Sequence, residues 1–251
     1  MNLAKQKVDV NLMFSEVKIL KPVDQRDVTA LVGELHDNYR ETITEFSNDH
    51  SESILKFCQL IVNCHKKLNI LDKESDNERI KLAGRFIFLA IDNVFLSVKF
   101  LSLGYFSQSG NSMRQSLESV CMAILISYSS EIEIGKGKKL NFFEAYIKNY
   151  RNTRAHNSIR YVQRNIDILG IQDQAVDAML GGKEHYNNYS HPNMLTFAAR
   201  MINTDGGPFV VGGGYDVDKL STYQQELEDR IRFTKILPDF ICCILNNLSH
   251  G

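Results

Sequence analysis

The chain has 251 residues, 43% of them hydrophobic and 24% charged, with a formal net charge of −1. That length suits one large or two small domains, and the composition excludes wholesale disorder. A near-neutral balance supplies no global attraction to nucleic acid or anionic membrane, so charge matters only where it is locally segregated. Five cysteines, with Cys242 and Cys243 adjacent, make no disulfide framework and point to a reduced, cytoplasmic setting. Lys5, Lys7 and Asp9 stand where a signal peptide needs an apolar run. Asp92 and Lys99 interrupt the most apolar stretch, Phe86 to Leu103, so no membrane span is expected. No C-x-x-C or H-E-x-x-H occurs, and neither a metal nor any other cofactor is expected.

Apolar residues recur at helical spacing almost throughout, which defines an all-α fold. The expected architecture is a single helical-bundle domain of about seven to nine helices over residues 24–251, behind an N-terminal arm, residues 1–23. Val28, Leu31, Leu35, Tyr39, Ile43 and Phe46 form one amphipathic face, and Ile54, Phe57, Ile61, Cys64 and Leu68 a second. Ser75-Asp76-Asn77-Glu78 reads as a capping box opening a third helix. That helix is apolar nearly all round and so reads as buried, with Arg85, Asp92 and Lys99 as one narrow charged stripe. Gly104 fits a C′ position, and Ser107 reads as the cap of a fourth helix with Met113, Leu117, Val120, Cys121 and Ile124 in its seam.

Residues 129–139 read as a loop. A single long helix is expected from about Leu140 to Leu169, ended by Gly170. Short helices near 172–180, 183–190 and 193–202 are punctuated by Gly181-Gly182 and Pro192. A Gly-rich loop near 204–215 follows. The last helix, from about Asp218 to Leu248, should kink at Pro238.

Charge concentrates between Lys136 and Arg164. The 29 residues hold eight basic side chains against one acid, Glu144, a net +7 in a chain that sums to −1. Lys136, Lys138, Lys139, Lys148, Tyr150 and Arg154 are the candidate substrate-binding side chains. Cations interleaved with tyrosines suit a phosphate backbone with unpaired bases, which makes RNA the candidate partner. The alternative is a basic helix packed beside the acids Glu226, Glu228 and Asp229.

Within this segment lies Arg151-Asn152-Thr153-Arg154-Ala155-His156. It resembles the R-[N/D/H]-x-x-x-H motif of the HEPN superfamily, small all-α proteins that include many metal-independent endoribonucleases of toxin–antitoxin and phage-defence systems. The resemblance implies His156 as acid/base, Arg151 on the scissile phosphate and Asn152 as an orienting amide. It also implies a 2′,3′-cyclic phosphate product, a homodimer with two motifs facing each other, and a cognate antitoxin or other protein partner. The chemistry is coherent: a base takes the 2′-OH proton while a guanidinium holds the phosphate. On a continuous helix, however, positions 151 and 156 lie about 140° apart. Convergence then requires a helix that starts near Arg151 or a second subunit.

A second resemblance covers roughly residues 80–200. Arg114-x-x-x-Glu118 and the segment Tyr186 to Pro192, with Ser190 and His191, are similar to an uncharacterised bacterial all-helical family. It implies a second candidate site of Arg114, Glu118, Tyr186, Ser190 and His191. Three readings therefore stand open: a ribonuclease, a non-catalytic module binding RNA, nucleotide or protein, and an enzyme or ligand site on the second cluster.

Overall fold

The computed structural model describes residues 37–73, 77–190 and 213–249, with isolated positions between 26 and 36. The chain divides into Met1–Asn38 and Tyr39–Gly251, and every element below belongs to the second unit. The fold is all-α with one small hairpin. Helix α1 spans Arg40–Lys73, α2 Glu78–Ser102 and α3 Phe106–Ser127. Strands β1 (Glu131–Gly135) and β2 (Lys138–Asn141) pair antiparallel. Then come α4 (Phe142–Ile147), α5 (Ser158–Arg164), α6 (Ile166–Leu169), α7 (Asp173–Ser190) and α8 (Leu220–Ser249).

The two expected N-terminal faces meet within one element. Helix α1 carries Phe46, Phe57, Ile61 and Cys64 into the core and bends at His50, whose φ of −123° and ψ of 18° leave the helical region. Val28, Leu31 and Leu35 lie outside the described residues. Helix α2 starts where the capping pattern places it. Asn77 is the cap, its Oδ1 accepting the Arg79 N–H at 2.9 Å, and Ser75 and Asp76 lie outside the described residues. The expectation that α2 is buried all round is corrected. Ala83, Ile87, Ala90, Ile91, Val94 and Val98 are buried, whereas Arg85, Phe88, Leu89, Asp92, Phe95 and Lys99 lie along one exposed face. The charged stripe thus meets solvent.

Gly104 sits at C′ of α2 with φ +76°. Its N–H reaches the Leu101 carbonyl and the Tyr105 N–H reaches that of Phe100, the paired bonds of a Schellman motif. Glycine is required there twice over, since a Cβ would stand 2.0 Å from the Gly214 carbonyl oxygen. The cap assigned to Ser107 is not made: α3 starts at Phe106, and the buried Ser107 Oγ has no hydrogen-bond partner among the described residues. Helix α3 is otherwise the centre of the fold, with Met113, Leu117, Val120, Cys121 and Ile124 all buried.

Between α3 and α7 the sequence reading fails twice. Residues 131–141 form a hairpin, because Ile132 and Ile134 alternate inward while Lys136, Lys138 and Lys139 stay exposed. The single helix expected over 140–169 is broken into α4, two one-turn 3₁₀ segments (Arg151–Thr153 and Ala155–Asn157), α5 and α6. Conversely, Gly181 and Gly182 do not separate two short helices; α7 runs through them from Asp173 to Ser190. Helix α8 runs as one element through Pro238, as its expected span requires. The helix expected over 193–202 and most of the Gly-rich loop lie outside the described residues.

Helices α3 and α7 approach closely at Gly110. A Cβ there would fall 2.6 Å from the Tyr189 Cβ and 2.7 Å from its ring. Gly110→Ala should therefore push α7 outward despite alanine's better helix propensity. A loss of about 1–3 kcal/mol in urea unfolding is expected for such overpacking. Unchanged or increased stability would show that the two helices can separate freely.

Candidate functional site

The basic segment is built on anchored irregular backbone. Asn165, 5% exposed, fixes the hairpin: its Oδ1 accepts the Glu133 N–H at 2.8 Å and its Nδ2 donates to the carbonyls of Glu133 and Tyr161. The Arg164 guanidinium donates to the Ile134 carbonyl at 2.8 Å. Downstream, Asn149 adopts φ +55° and ends α4. Buried Thr153 bonds the Tyr150 carbonyl through both its N–H and its hydroxyl. Buried Ser158 donates to the Glu118 carbonyl at 3.2 Å, and the Lys183 ammonium donates to the His156 carbonyl.

These anchors leave most of the segment's larger side chains outward. Arg151, Arg154, His156 and Arg160 are exposed, as are Lys148 and Tyr150, while Asn152 is half-buried. Among the described residues Arg151, Arg154 and Arg160 form no ion pair; Lys148 lies 3.6 Å from Glu144. The acids that could have neutralised the segment are engaged elsewhere: Glu228 and Asp229 pair with Arg232 on α8, and Glu226 is buried.

The second candidate cluster is divided. Arg114 Nε lies 3.8 Å from Glu118 Oε1, outside hydrogen-bond reach, and its Nη1 is 3.5 Å from Asn187 Oδ1. Lys183 stands near both. Burial lowers its pKa, Arg160 and Arg114 push the same way, and Glu118 opposes them. Lys183 thus connects the Arg114–Glu118 pair to the His156 backbone, which joins two stretches read separately from the sequence. Tyr186 belongs to another set of contacts, its ring under the Arg230 guanidinium at 5.7 Å. The Ser190 side chain and His191 lie outside the described residues.

Sequence reasoning missed a buried ionic centre. Arg230 on α8 is 0% exposed and Glu226, one turn earlier, 4%. Arg230 Nη1 meets Glu226 Oε2 at 2.6 Å and also donates to the Glu226 carbonyl. Its Nε donates to Ser97 Oγ at 3.0 Å and its Nη2 to Ser109 Oγ at 2.7 Å. The other carboxylate oxygen, Glu226 Oε1, takes His185 Nε2 at 2.9 Å and the Tyr189 hydroxyl at 3.0 Å. Four helices contribute, so the cluster ties α2, α3, α7 and α8 together. The available signal was register, since Glu226 and Arg230 fall three and seven residues after Tyr223 on the apolar seam of α8.

The cluster sets a pH dependence. Burial would raise the Glu226 pKa, but the His185 hydrogen bond and the Arg230 charge outweigh it and hold the carboxyl at about 2. The Glu226 hydrogen bond raises the His185 pKa above 6.5, against partial desolvation. Glu226 therefore contributes stability that is complete above about 4.5 and lost as pH falls toward 2. His185 contributes stability that is complete below 6.5 and lost as pH rises through its raised value. Melting temperature measured against pH should decline above 6.5, and His185→Gln should flatten that decline. An unaltered alkaline slope in the variant would exclude the His185 contribution.

The same cluster borders a cavity of about 460 Å³ between α3, α7 and α8, lined among others by Met113, Met179, His185, Tyr186 and Phe233. Among the described residues no three His, Cys, Asp or Glu side chains gather as metal ligands, and no helix is long and apolar enough to cross a membrane. Comparison with protein-family models, curated proteins and solved structures finds no match to this chain.

Proposed function

We propose that the protein acts on RNA, as a HEPN-like metal-independent endoribonuclease in a toxin or phage-defence role. The observation that carries this reading is the helix break across 148–157. It places Arg151 and His156 on consecutive 3₁₀ turns, both exposed, on a backbone pinned from beneath by Thr153, Ser158 and Lys183. The separation of about 140° expected on one continuous helix therefore does not apply to this pair. Arg160 and Lys183 add positive charge beside the His156 backbone, and the hairpin lysines extend it. In this reading Arg151 holds the scissile phosphate, Asn152 orients it, and His156 exchanges the proton of the attacking 2′-OH. A second copy of the chain faces the first across the site, and a protein antitoxin would act by covering it.

The test is cleavage of 5′-labelled single-stranded RNA in excess EDTA. Wild type should yield 2′,3′-cyclic phosphate ends, Arg151→Ala should not, and mixing Arg151→Ala with His156→Ala copies should restore part of the activity. Salt-sensitive binding with no cleavage would make the protein a binding module built on the same basic segment. Failure to bind RNA at low salt would end both readings.

A further inference from the structure

Gly181 and Gly182 pose a question that the RNA site does not answer. They lie in the interior of α7, where glycine is the poorest residue after proline. Neither has a positive φ. A Cβ on Gly181 would meet nothing within 4 Å, and one on Gly182 would touch only a Leu117 methyl at 3.2 Å. Backbone geometry does not demand them, and close packing does not demand Gly181. Both instead line the 460 Å³ cavity, and the space beside Gly181 is open to a side chain. That volume falls in the range of small-molecule sites.

The cavity has a chemical polarity. Its wall is apolar, from Met113, Leu117, Met179, Phe233 and Ile236, and its polar groups are His185, Asp229 and Arg232. His185 Nε2 is committed to Glu226, and when the ring is protonated its Nδ1–H is the remaining donor. Arg230 orders Glu226 from the far side, so the imidazole is held in one orientation by a charge that cannot itself reach a ligand. Asp229 favours the same cationic ring, Arg230 opposes it, and the neighbouring tyrosines, Tyr186 and Tyr189, are neutral because burial raises their pKa. Asp229 is itself paired with Arg232, at 3.4 Å.

We infer that this cavity is a binding site for a small amphiphilic carboxylate, its acyl or aryl body against Met113, Met179 and Phe233 and its head on His185. Titration calorimetry on the full chain tests it with decanoate, 1-naphthoate and the neutral decan-1-ol. At least one acid should bind with a Kd of about 1 mM or tighter, and the choice between the two acids identifies the body. The alcohol should bind about tenfold more weakly, as should the acid to His185→Gln, for loss of a charge-assisted hydrogen bond. Gly181→Leu should abolish binding while raising the melting temperature by about 2–4 °C, because it improves helix propensity and fills open space. That rise separates occlusion from misfolding. Three results would each overturn the assignment: no saturable binding of either acid, binding that Gly181→Leu leaves intact, or an alcohol that binds as tightly as the acids.

Discussion

Arg230→Met is expected to lower the unfolding free energy by about 3–5 kcal/mol, the loss typical when one partner of a buried ion pair is removed. The reason is what stays behind. Among the described residues, Glu226 remains buried with only His185 and Tyr189 on its Oε1, and Oε2 loses its sole side-chain partner. Ser97 and Ser109 suffer less, because each hydroxyl still donates to a carbonyl, that of Val94 and of Ser97 respectively. Methionine fills similar volume, so little of the loss is cavity. The double variant Arg230→Met/Glu226→Leu removes both charges and should recover much of the stability, since apolar replacement of a buried pair is often neutral. Denaturant unfolding of both singles and the double closes the cycle. A loss below about 1 kcal/mol for Arg230→Met would mean that water or Glu226 protonation relieves the stranded charge.

This centre also shows what a sequence can and cannot carry. The all-α fold was legible because the apolar period of α3 and α8 survives intact: Met113, Leu117 and Val120, and Tyr223, Leu227 and Ile241, are all buried. A charge at a core-facing register, such as Arg230, is visible too, but Ser97 and Ser109, which accept from it, and His185, which bonds its partner Glu226, come from three other helices and leave no local trace. The break at 148–157 was hidden for the opposite reason. Apolar spacing continues from Phe142 through Tyr150 to Ile159, so periodicity argues for a helix. Asn149, Asn152, Thr153, Asn157 and Ser158 favour turns and caps over helix interior. The backbone then gains anchors from Glu118 and Lys183, far away in sequence. At Gly181-Gly182 tertiary packing overrode propensity: Met179 and Tyr186, on either side, are both buried, and the helix continues through.

His156→Ala is expected to reduce RNA cleavage by about 10²–10⁴-fold, the contribution of a positioned proton-transfer group. The fall should appear in kcat with KM nearly unchanged, because an exposed imidazole adds little to binding a polyanion already held by arginines and lysines. Stability should stay within about 0.5 kcal/mol of wild type, as for most exposed substitutions. The anchor to Lys183 uses the His156 carbonyl, and alanine keeps it. The hairpin supplies the converse variant. Lys136, Lys138 and Lys139 are exposed and form no ion pair among the described residues. Replacing all three with alanine should raise KM, leave kcat intact and flatten the log–log salt dependence by about 2, near 0.7 per lost contact to single-stranded RNA. The two variants must therefore separate turnover from attraction. If His156→Ala keeps more than a tenth of the wild-type kcat, the proton passes through another group and Arg151-Asn152-x-x-x-His156 is a basic turn without catalytic work. If the triple-lysine variant keeps the full salt slope, RNA is held by a different face, and the net +7 of this segment serves something else.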